Sequence, residues 1–376
     1  MRSLHLAAAV AFVAVSQLGV IALQQAAAPA LQERDFLTRI RRLTVEGRRS
    51  GEGYFSPDGK RLVFQSERDP ANPWYQIFTL DLTTGDVARI SPGVGKTTCS
   101  FFRPHSDEIL FSSTHLDPKS KQYQEEELAF RASGKQRRYS WDYDPELDIF
   151  ALSEKSGTLK RLTTARGYDA EGAYSPDGQW IVFTSMRDAY NRPLNPTEKN
   201  ALEKDPSLFA EIYIMKADGS GQRRLTTEFG YDGGPFFTAD SQRIVWRHFD
   251  DTGLLADIWT MTLDGRDMRQ VTTFGSMSWS PYQHPSGEYF VFSSNKLGFE
   301  NFELFIVDTA GRKEPVRVTY TDGFDSLPVF SPDGTQLSWT STRAGGAEGQ
   351  IFLAQWNHEK AMEALKNAPP RTVNTR

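Results

Sequence analysis

Cysteine is almost absent from this chain of 376 residues, because Cys99 is the only one. The sequence therefore excludes an intrachain disulfide and a cysteine-based metal cage. The six histidines show no i,i+4 pair, and HExxH, Walker, dinucleotide-binding and Gly-x-Ser-x-Gly motifs are all missing. No nucleophile and base stand together in the sequence, so any catalytic site would have to be assembled from distant segments.

A strong charge bias is also missing. The chain has 43 Lys and Arg against 48 Asp and Glu, with a formal net charge of −5 and an isoelectric point near 5.8. This balance gives no electrostatic case for nucleic acid binding. Beyond the N-terminus no segment is long and apolar enough to cross a bilayer. The mature chain is predicted to be a mildly acidic, soluble monomer.

The first thirty residues differ from the rest. Arg2 is followed by an Ala-, Val- and Leu-rich stretch from about Leu6 to Leu23, and then by Ala28-Pro29-Ala30. A positive start, an apolar region and a small-x-small site predict a secretory signal peptide over residues 1–30. The alternative is an uncleaved anchor, since the stretch approaches the ~20 residues that span a bilayer. We therefore expect a periplasmic or secreted protein.

Two short motifs recur six times in step. Tags of the Arg-Leu-Thr type and turns of the Ser-Pro-Asp-Gly type are separated by the same five intervals. Such a period indicates one supersecondary unit that needs neighbours to bury its faces. The tags are centred on Leu43, Ile90, Leu162, Leu225, Val271 and Val318. The turns begin at Ser56, Arg103, Ser175, Thr238, His284 and Ser331.

Each unit is predicted to contain four antiparallel strands. In the third unit, the turn at Ser175 to Gly178 precedes a strand over Trp180–Thr184, and another strand covers Glu211–Met215. No helical period occurs in the core repeat. The fold class is therefore all-β, a six-bladed β-propeller of four-stranded blades. A stacked solenoid is the alternative architecture.

The two ends of the repeat region favour a closed ring. The first tag, at Leu43, has no preceding strands of its own, and the last unit reaches Ala354 without a tag. Pairing the N-terminal strand with the last unit completes six blades and removes two open edges. We predict the propeller over residues 31–356, with a C-terminal helix and tail over 357–376.

Two insertions interrupt the repeat between the second and third strands of adjacent units. They cover about residues 115–146 and 188–208 and are predicted to lie side by side on one face. Each contains a predicted helix, near 122–130 and 197–204. The first also carries Trp141 and Tyr143 beside carboxylates, a combination that suits stacking on a sugar or holding a peptide. The alternative is that these rings only fix the loop to the blade.

Two sets of equivalent polar residues emerge when the units are aligned. Both are predicted on the face of the insertions, as ion pairs between blades or as a binding site for a charged ligand at the channel mouth. The first set is Ser50, Thr97, Asp169, Asp232, Ser278 and Asp325. The second is Arg68, His115, Arg187, Asp250, Lys296 and Arg343.

Calcium is the one cofactor that these residues suggest. Asp169, Asp232 and Asp325, with Glu52 and Glu171 two residues along their strands, would supply the oxygen ligands that Ca²⁺ prefers. No catalytic residue is assigned. His115, at an insertion mouth, is either a ligand or a solvated loop histidine. The candidate ligand-binding residues are Asp169, Asp232, Asp325, Glu171, Arg68, His115, Arg187, Arg343, Trp141 and Tyr143.

The motifs resemble the TolB-type, WD-like β-propeller repeats. The resemblance is clearest from Gly167 to Arg187, which carries Gly-Tyr-Asp and Ser-Pro-Asp-Gly-x-x-Ile-Val-Phe-x-Ser-x-Arg, and it covers about residues 38–356. It implies a six-bladed propeller exported to the bacterial periplasm or surface. TolB itself has an α/β domain before its propeller, for which this chain is expected to have no room. Unit four departs most, with Thr238-Ala239-Asp240-Ser241 at its turn.

Two functions remain open at this stage. The preferred hypothesis is a non-enzymatic binding propeller that presents the insertions and the channel mouth to a protein or cell-envelope partner. The alternative is a lyase or hydrolase that acts on oligosaccharide or peptide at the same mouth. Both depend on the pair of adjacent insertions.

Overall fold

The computed structural model describes residues 30–135, 137, 141–345 and 348–372. The predicted signal peptide therefore lies outside the described residues, apart from Ala30. The same holds for residues 136 and 138–140 of the first insertion. No helix among the described residues combines the length and apolarity that crossing a bilayer requires.

From Gln32 onward the chain forms six four-stranded antiparallel sheets, as the repeat predicts. Each sheet is one blade. Blades 1 to 3 contain β2 (Arg49–Phe55), β3 (Arg61–Glu67), β4 (Gln76–Asp81), β5 (Val87–Arg89); β6 (Thr97–Phe102), β7 (Glu108–Ser113), β8 (Asp148–Ser153), β9 (Leu159–Arg161); β10 (Asp169–Tyr174), β11 (Trp180–Ser185), β12 (Glu211–Lys216) and β13 (Arg223–Arg224).

The remaining three blades follow the same order. They contain β14 (Asp232–Phe237), β15 (Arg243–Phe249), β16 (Ala256–Thr262), β17 (Arg269–Gln270); β18 (Ser278–Gln283), β19 (Tyr289–Ser294), β20 (Glu303–Asp308), β21 (Val316–Arg317); β22 (Asp325–Phe330), β23 (Gln336–Ser341), β24 (Gln350–Trp356) and β1 (Leu37–Arg42). The first strand of each blade lies innermost, and the fourth lies outermost. In blade 6 the outermost strand is β1, which comes from the N-terminal segment.

The ring closes where β1 joins β24. Leu37 pairs with Trp356, and the Leu43 amide donates a hydrogen bond of 2.8 Å to the Ile351 carbonyl. The closure predicted from the two ends of the repeat is confirmed. It protects two sheet edges that would otherwise expose unpaired backbone groups.

The Ser-Pro-Asp-Gly turns join the first and second strands of the blades. In blade 3 the Ser175 hydroxyl donates to Asp177 at 2.5 Å, and Gly178 adopts a φ of +69° that favours glycine. The turns therefore define one face of the propeller, which we call the turn face. Connections between second and third strands, and between blades, lie on the opposite face, which we call the mouth face.

Five α-helices and one 3₁₀ helix complete the described structure. Three α-helices and the 3₁₀ helix belong to the two long connections of blades 2 and 3. The α-helices are α1 (Glu33–Phe36), α2 (Ser120–Ala132), α3 (Arg187–Asn191), α4 (Pro196–Lys204) and α5 (His358–Asn367); the 3₁₀ helix is Pro206–Phe209.

A stack of rings holds the start of α5 against the turn face. The imidazoles of His284 and His358 are stacked with their centroids 4.5 Å apart, and Tyr289 lies 4.7 Å from His284. The Trp356 indole donates to the Tyr289 hydroxyl at 2.7 Å. The C-terminal helix is therefore anchored by aromatic and histidine contacts to blade 5.

This stack should make the protein acid-sensitive. Burial lowers the pKa of His284 to about 4, and His358 lowers it further, although a hydrogen bond with Gly334 opposes the shift. A pKa below the unfolded value of about 6.5 means that stability is lost as the pH falls from about 6.5 to 4. We expect His284→Phe to reduce the fall in unfolding temperature between pH 7 and pH 4.5. His105→Phe, at an exposed turn, should leave that fall unchanged.

Candidate functional site: the axial pocket

Each innermost strand carries the same irregularity near the propeller axis. The pairing with the second strand shifts register, and one residue adopts a left-handed φ between +52° and +57°. This bulge breaks the two-residue alternation of a strand. The six residues line the central cavity, and we call them the axial ring: Glu52, Cys99, Glu171, Gly234, Ser280 and Leu327.

Two residues further along the strands, aromatic side chains form a floor. Tyr54 of blade 1 meets Phe236 of the opposite blade with ring centroids 5.8 Å apart, and Phe101 lies 5.2 Å from Tyr54. Tyr282 packs edge-on against Phe236 at 5.3 Å. Because these rings meet across the axis, the channel becomes a pocket that opens on the mouth face.

The axial pocket has a volume of about 770 Å³, within the range of small-molecule sites. Both long connections contribute to its wall, with Trp141 and Tyr143 from blade 2 and Asp205 to Leu208 from blade 3. Aromatic residues supply much of the remaining surface. They are Tyr75, Tyr231, Phe249, Trp279, Phe302 and Phe324.

Arg247 of β15 supplies a positive charge at the axial ring. Its side chain is more than nine-tenths buried, and its Nη2 donates to the Tyr231 hydroxyl at 2.8 Å and to Glu171 at 3.2 Å. The guanidinium also lies 5.2 Å from the ring centroids of Tyr231 and Trp279. A Cβ at Gly234 would overlap its Nη1, so this glycine makes room for the arginine in the ring.

Glu171 is fully engaged by protein donors. Its carboxylate accepts hydrogen bonds of 2.5 Å from both the Tyr231 hydroxyl and the Gly234 amide. Tyr168 at 3.3 Å and Thr184 at 3.2 Å add two more. Together with the ion pair to Arg247, these bonds fix the carboxylate in place.

Glu52 is held far less firmly. Its donors among the described side chains are the Gln65 amide at 3.3 Å and the Cys99 thiol. Burial, followed by repulsion from Glu171, raises the pKa of Glu52 to about 7. Burial and the same two carboxylates raise the pKa of the Cys99 thiol, so the thiol is protonated near neutral pH.

Three of the ten candidate residues line this pocket. Glu171 lies in the axial ring, and Trp141 and Tyr143 lie in the wall. The Trp141 indole also donates to the Tyr168 hydroxyl at 3.0 Å, and Tyr143 contacts the Tyr168 ring edge-on at 5.3 Å. These two aromatic residues therefore both line the pocket and fix the loop to the blade.

The three aspartates lie inside the blades rather than in the pocket. Asp169 pairs with Arg187 at 2.6 Å, and Asp325 pairs with Arg343 at 2.7 Å. In blade 4, Asp232 accepts bonds of 2.8 Å from His248 and from the Trp246 indole. The predicted ion pairs between blades are thus wrong, since both pairs lie within one blade. The reason is register: Asp169 lies opposite Ser185, two residues before Arg187.

Four members of the second predicted set pack within their blades, whereas Asp250 lines the pocket. Arg68, His115, Arg187 and Arg343 each place a nitrogen 2.9–3.1 Å from the hydroxyl of a serine two residues earlier. Each also covers an aromatic ring, as His115 does at 4.5 Å from Phe150. Among the described residues, no group of three or more His, Cys, Asp or Glu is arranged to hold a metal. The five carboxylates considered for Ca²⁺ are divided between the blades and the pocket.

Arg247 is a charged residue of the pocket that the sequence analysis did not identify. It lies nine residues after the start of its turn, a position outside the two sets of equivalent polar residues. The equivalent residues are all uncharged: Gln65, Ser112, Thr184, Ser293 and Thr340. A charge that appears once at a buried strand position is the signal that would have identified it.

Comparison with known sequences gives partial matches. No family model matches the chain. YuxL of Bacillus subtilis, named as an uncharacterised peptidase, is 26% identical over 183 residues, which is 45% of this chain and 24% of that protein. A TolB homologue of Chlorobium luteolum is 27% identical over 121 residues, 26% of this chain and 28% of the homologue. The matches therefore span only about a quarter of each relative.

Solved structures match over most of the chain. A TolB candidate from Agrobacterium tumefaciens gives a TM-score of 0.55 at 19% identity, covering 82% of this chain and 90% of that one. TolB from Acinetobacter baumannii gives 0.52 at 16% identity, covering 86% and 65%. An oligogalacturonate lyase from Vibrio parahaemolyticus gives 0.52 at 13% identity, covering 85% and 94%.

The closed ring of six blades and its one-ended axial pocket place this chain among the six-bladed β-propellers. Its fold is similar to that of the TolB propellers, in agreement with the resemblance of its repeat motifs. The oligogalacturonate lyase shows that the same fold also serves an enzyme.

Proposed function

We propose that this protein is an exported binding propeller that docks a protein of the cell envelope on its mouth face and receives part of that partner in the axial pocket. Export is supported by the signal-peptide pattern of residues 1–30. The binding role is supported chiefly by the distribution of exposed apolar side chains.

Most of the large apolar residues exposed to solvent lie in mouth-face connections. Phe299 is 64% exposed, Leu254 58% and Phe229 52%. The others in these connections are Val45, Val94, Leu116, Tyr123, Leu297 and Tyr320. The turn face has Val87 and Met268. Exposed apolar side chains concentrated on one face of a protein are typical of a protein interaction surface.

A paired substitution tests this surface. Leu254→Asp with Phe299→Asp is expected to reduce capture of an envelope partner about tenfold, the loss that ~1.4 kcal/mol of binding energy produces. Capture is measured by mass spectrometry with the full-length mature protein as bait. Val87→Asp with Met268→Asp, on the turn face, is the matched control and should capture normally. Equal capture by both double variants would refute docking on the mouth face.

One observation favours an enzyme as a second candidate. Burial raises the pKa of Glu52 to about 7, which suits a general acid or base. The oligogalacturonate lyase that shares this fold, and the relative named as a peptidase, point to oligosaccharide or peptide substrates. Turnover of such a panel that is lost in Glu52→Gln supports catalysis. The absence of turnover by the wild type leaves binding as the function.

A further inference from the structure

The charges of the axial pocket do not balance. Its described lining carries five carboxylates, Glu52, Glu171, Asp205, Asp250 and Glu348, against the arginines Arg48, Arg49 and Arg247. An unbalanced negative charge in a largely apolar enclosure attracts a cation.

The arginines of the lining are already committed to other carboxylates. Arg48 pairs with Glu348 at 2.9 Å, and Arg49 pairs with Glu67. At the bottom of the pocket Arg247 pairs with Glu171, whose remaining acceptor sites are filled by protein donors. None of these three arginines forms an ion pair with Glu52, and the charge of Arg247 only partly offsets the burial that raises the Glu52 pKa.

Three lining carboxylates, Glu52, Asp205 and Asp250, form no ion pair with a described residue, and of these only Glu52 belongs to the axial ring. It lies at the axial ring, directly above the aromatic floor of Tyr54 and Phe236. The hydroxyl of Ser280, which also belongs to the axial ring, is buried and has no hydrogen-bond partner among the described residues. A carboxylate that forms no ion pair, an unused hydroxyl and aromatic faces are the groups that a positively charged ligand requires.

We infer that the axial pocket binds a primary ammonium group, as carried by a lysine side chain or by a free amino end. Glu52 accepts the ammonium hydrogens, and the aromatic rings around it stabilise the charge through their faces. Glu171 and Arg247 hold the bottom of the pocket in shape. The inference rests on the proposed function, because the ammonium belongs to the segment of the partner that enters the pocket.

Small probes test the inference without the partner. N-acetyl-lysine amide carries the ammonium, and N-acetyl-norleucine amide has a similar chain without it. At pH 8 we expect the lysine probe to bind at least about tenfold more tightly, measured by calorimetry or by the fluorescence of the wall residues Trp141 and Trp279. Glycine amide, which has a free amino end and no side chain, distinguishes the two sources of ammonium.

Glu52→Gln preserves the shape of the side chain and should abolish the preference for the lysine probe. Glu363→Gln in α5, whose exposed carboxylate pairs with Lys360 and does not line the pocket, is the matched control and should keep the preference. Circular dichroism and thermal unfolding establish that both variants are folded. Equal affinity for the lysine and norleucine probes in the wild type, or an unchanged preference in Glu52→Gln, would overturn the inference.

The pH dependence gives a second readout. Glu52 is faced by Glu171, Arg247, Cys99 and Tyr54, and its pKa is raised to about 7. Its charge therefore appears as the pH rises through 7, while a lysine ammonium stays protonated to about pH 10. Affinity for the lysine probe should rise between pH 6 and pH 8, and a flat profile counts against Glu52 as the receptor.

Failure of this inference is separable from failure of the proposed function. If the lysine probe does not bind but the Leu254 and Phe299 substitutions still reduce partner capture, only the ammonium receptor is refuted. If the lysine probe binds but those substitutions leave capture unchanged, only docking on the mouth face is refuted.

Discussion

Replacing Phe36 with alanine is expected to lower the free energy of unfolding by about 3–5 kcal/mol, the usual cost of removing a buried aromatic ring. Phe36 is fully buried and stacks on Trp356 with centroids 6.0 Å apart. It lies beside the first residue of β1, where that strand joins β24 and closes the ring. The substitution therefore weakens the closure as well as leaving a cavity. Urea unfolding followed by tryptophan fluorescence measures the change.

Ile40→Ala is the matched control in the same strand. Ile40 is 38% exposed, so its truncation should cost less than about 1 kcal/mol. If the two variants unfold at the same urea concentration, the closing strand does not stabilise the propeller as the structure requires.

Asp169→Ala is expected to destabilise the protein by about 3–5 kcal/mol, because it leaves a buried guanidinium without its carboxylate. Arg187 pairs with Asp169 at 2.6 Å and is only 12% exposed. The Ser185 hydroxyl loses its acceptor as well. Thermal and urea unfolding measure the loss. Asp264→Ala removes an exposed carboxylate that pairs with Arg266 and should have almost no effect.

The Asp169→Ala variant also tests whether Asp169 has a structural role or a ligand-binding role. Below its unfolding temperature, Asp169→Ala should retain affinity for the lysine probe, because Asp169 does not line the pocket. If Asp169→Ala keeps its stability but loses affinity for the lysine probe, Asp169 belongs to the binding site.

The architecture was predictable because it depends on local patterns repeated along the chain. The tag at Leu43 and the strand around Ile351 had no other partners within their own units, so closure followed from counting strands. The site was harder to predict. Asp169 and Glu171 belong to one short strand, yet the left-handed residue in the bulge sends only Glu171 to the axis. No turn or strand signal marks that bulge in the sequence.

Arg247 illustrates a second limit. It comes from the second strand of blade 4 and reaches the axis through space left by Gly234. The charge partners that define the pocket come from blades 1, 3 and 4, and their proximity depends on ring geometry rather than on sequence spacing. Aligning every strand position, and not only those near the turns, would have revealed the isolated charge.

The reactivity of Cys99 offers the most direct measurement of where the ligand binds. It is the only cysteine of the chain, and its side chain belongs to the axial ring beside Glu52. Modification by methyl methanethiosulfonate should be slow, since burial keeps the thiol protonated, and is best followed at pH 9 by mass spectrometry. At about 90% occupancy by N-acetyl-lysine amide we expect the rate to fall about tenfold, in proportion to the free pocket. An unchanged rate at saturation would show that the ligand binds elsewhere.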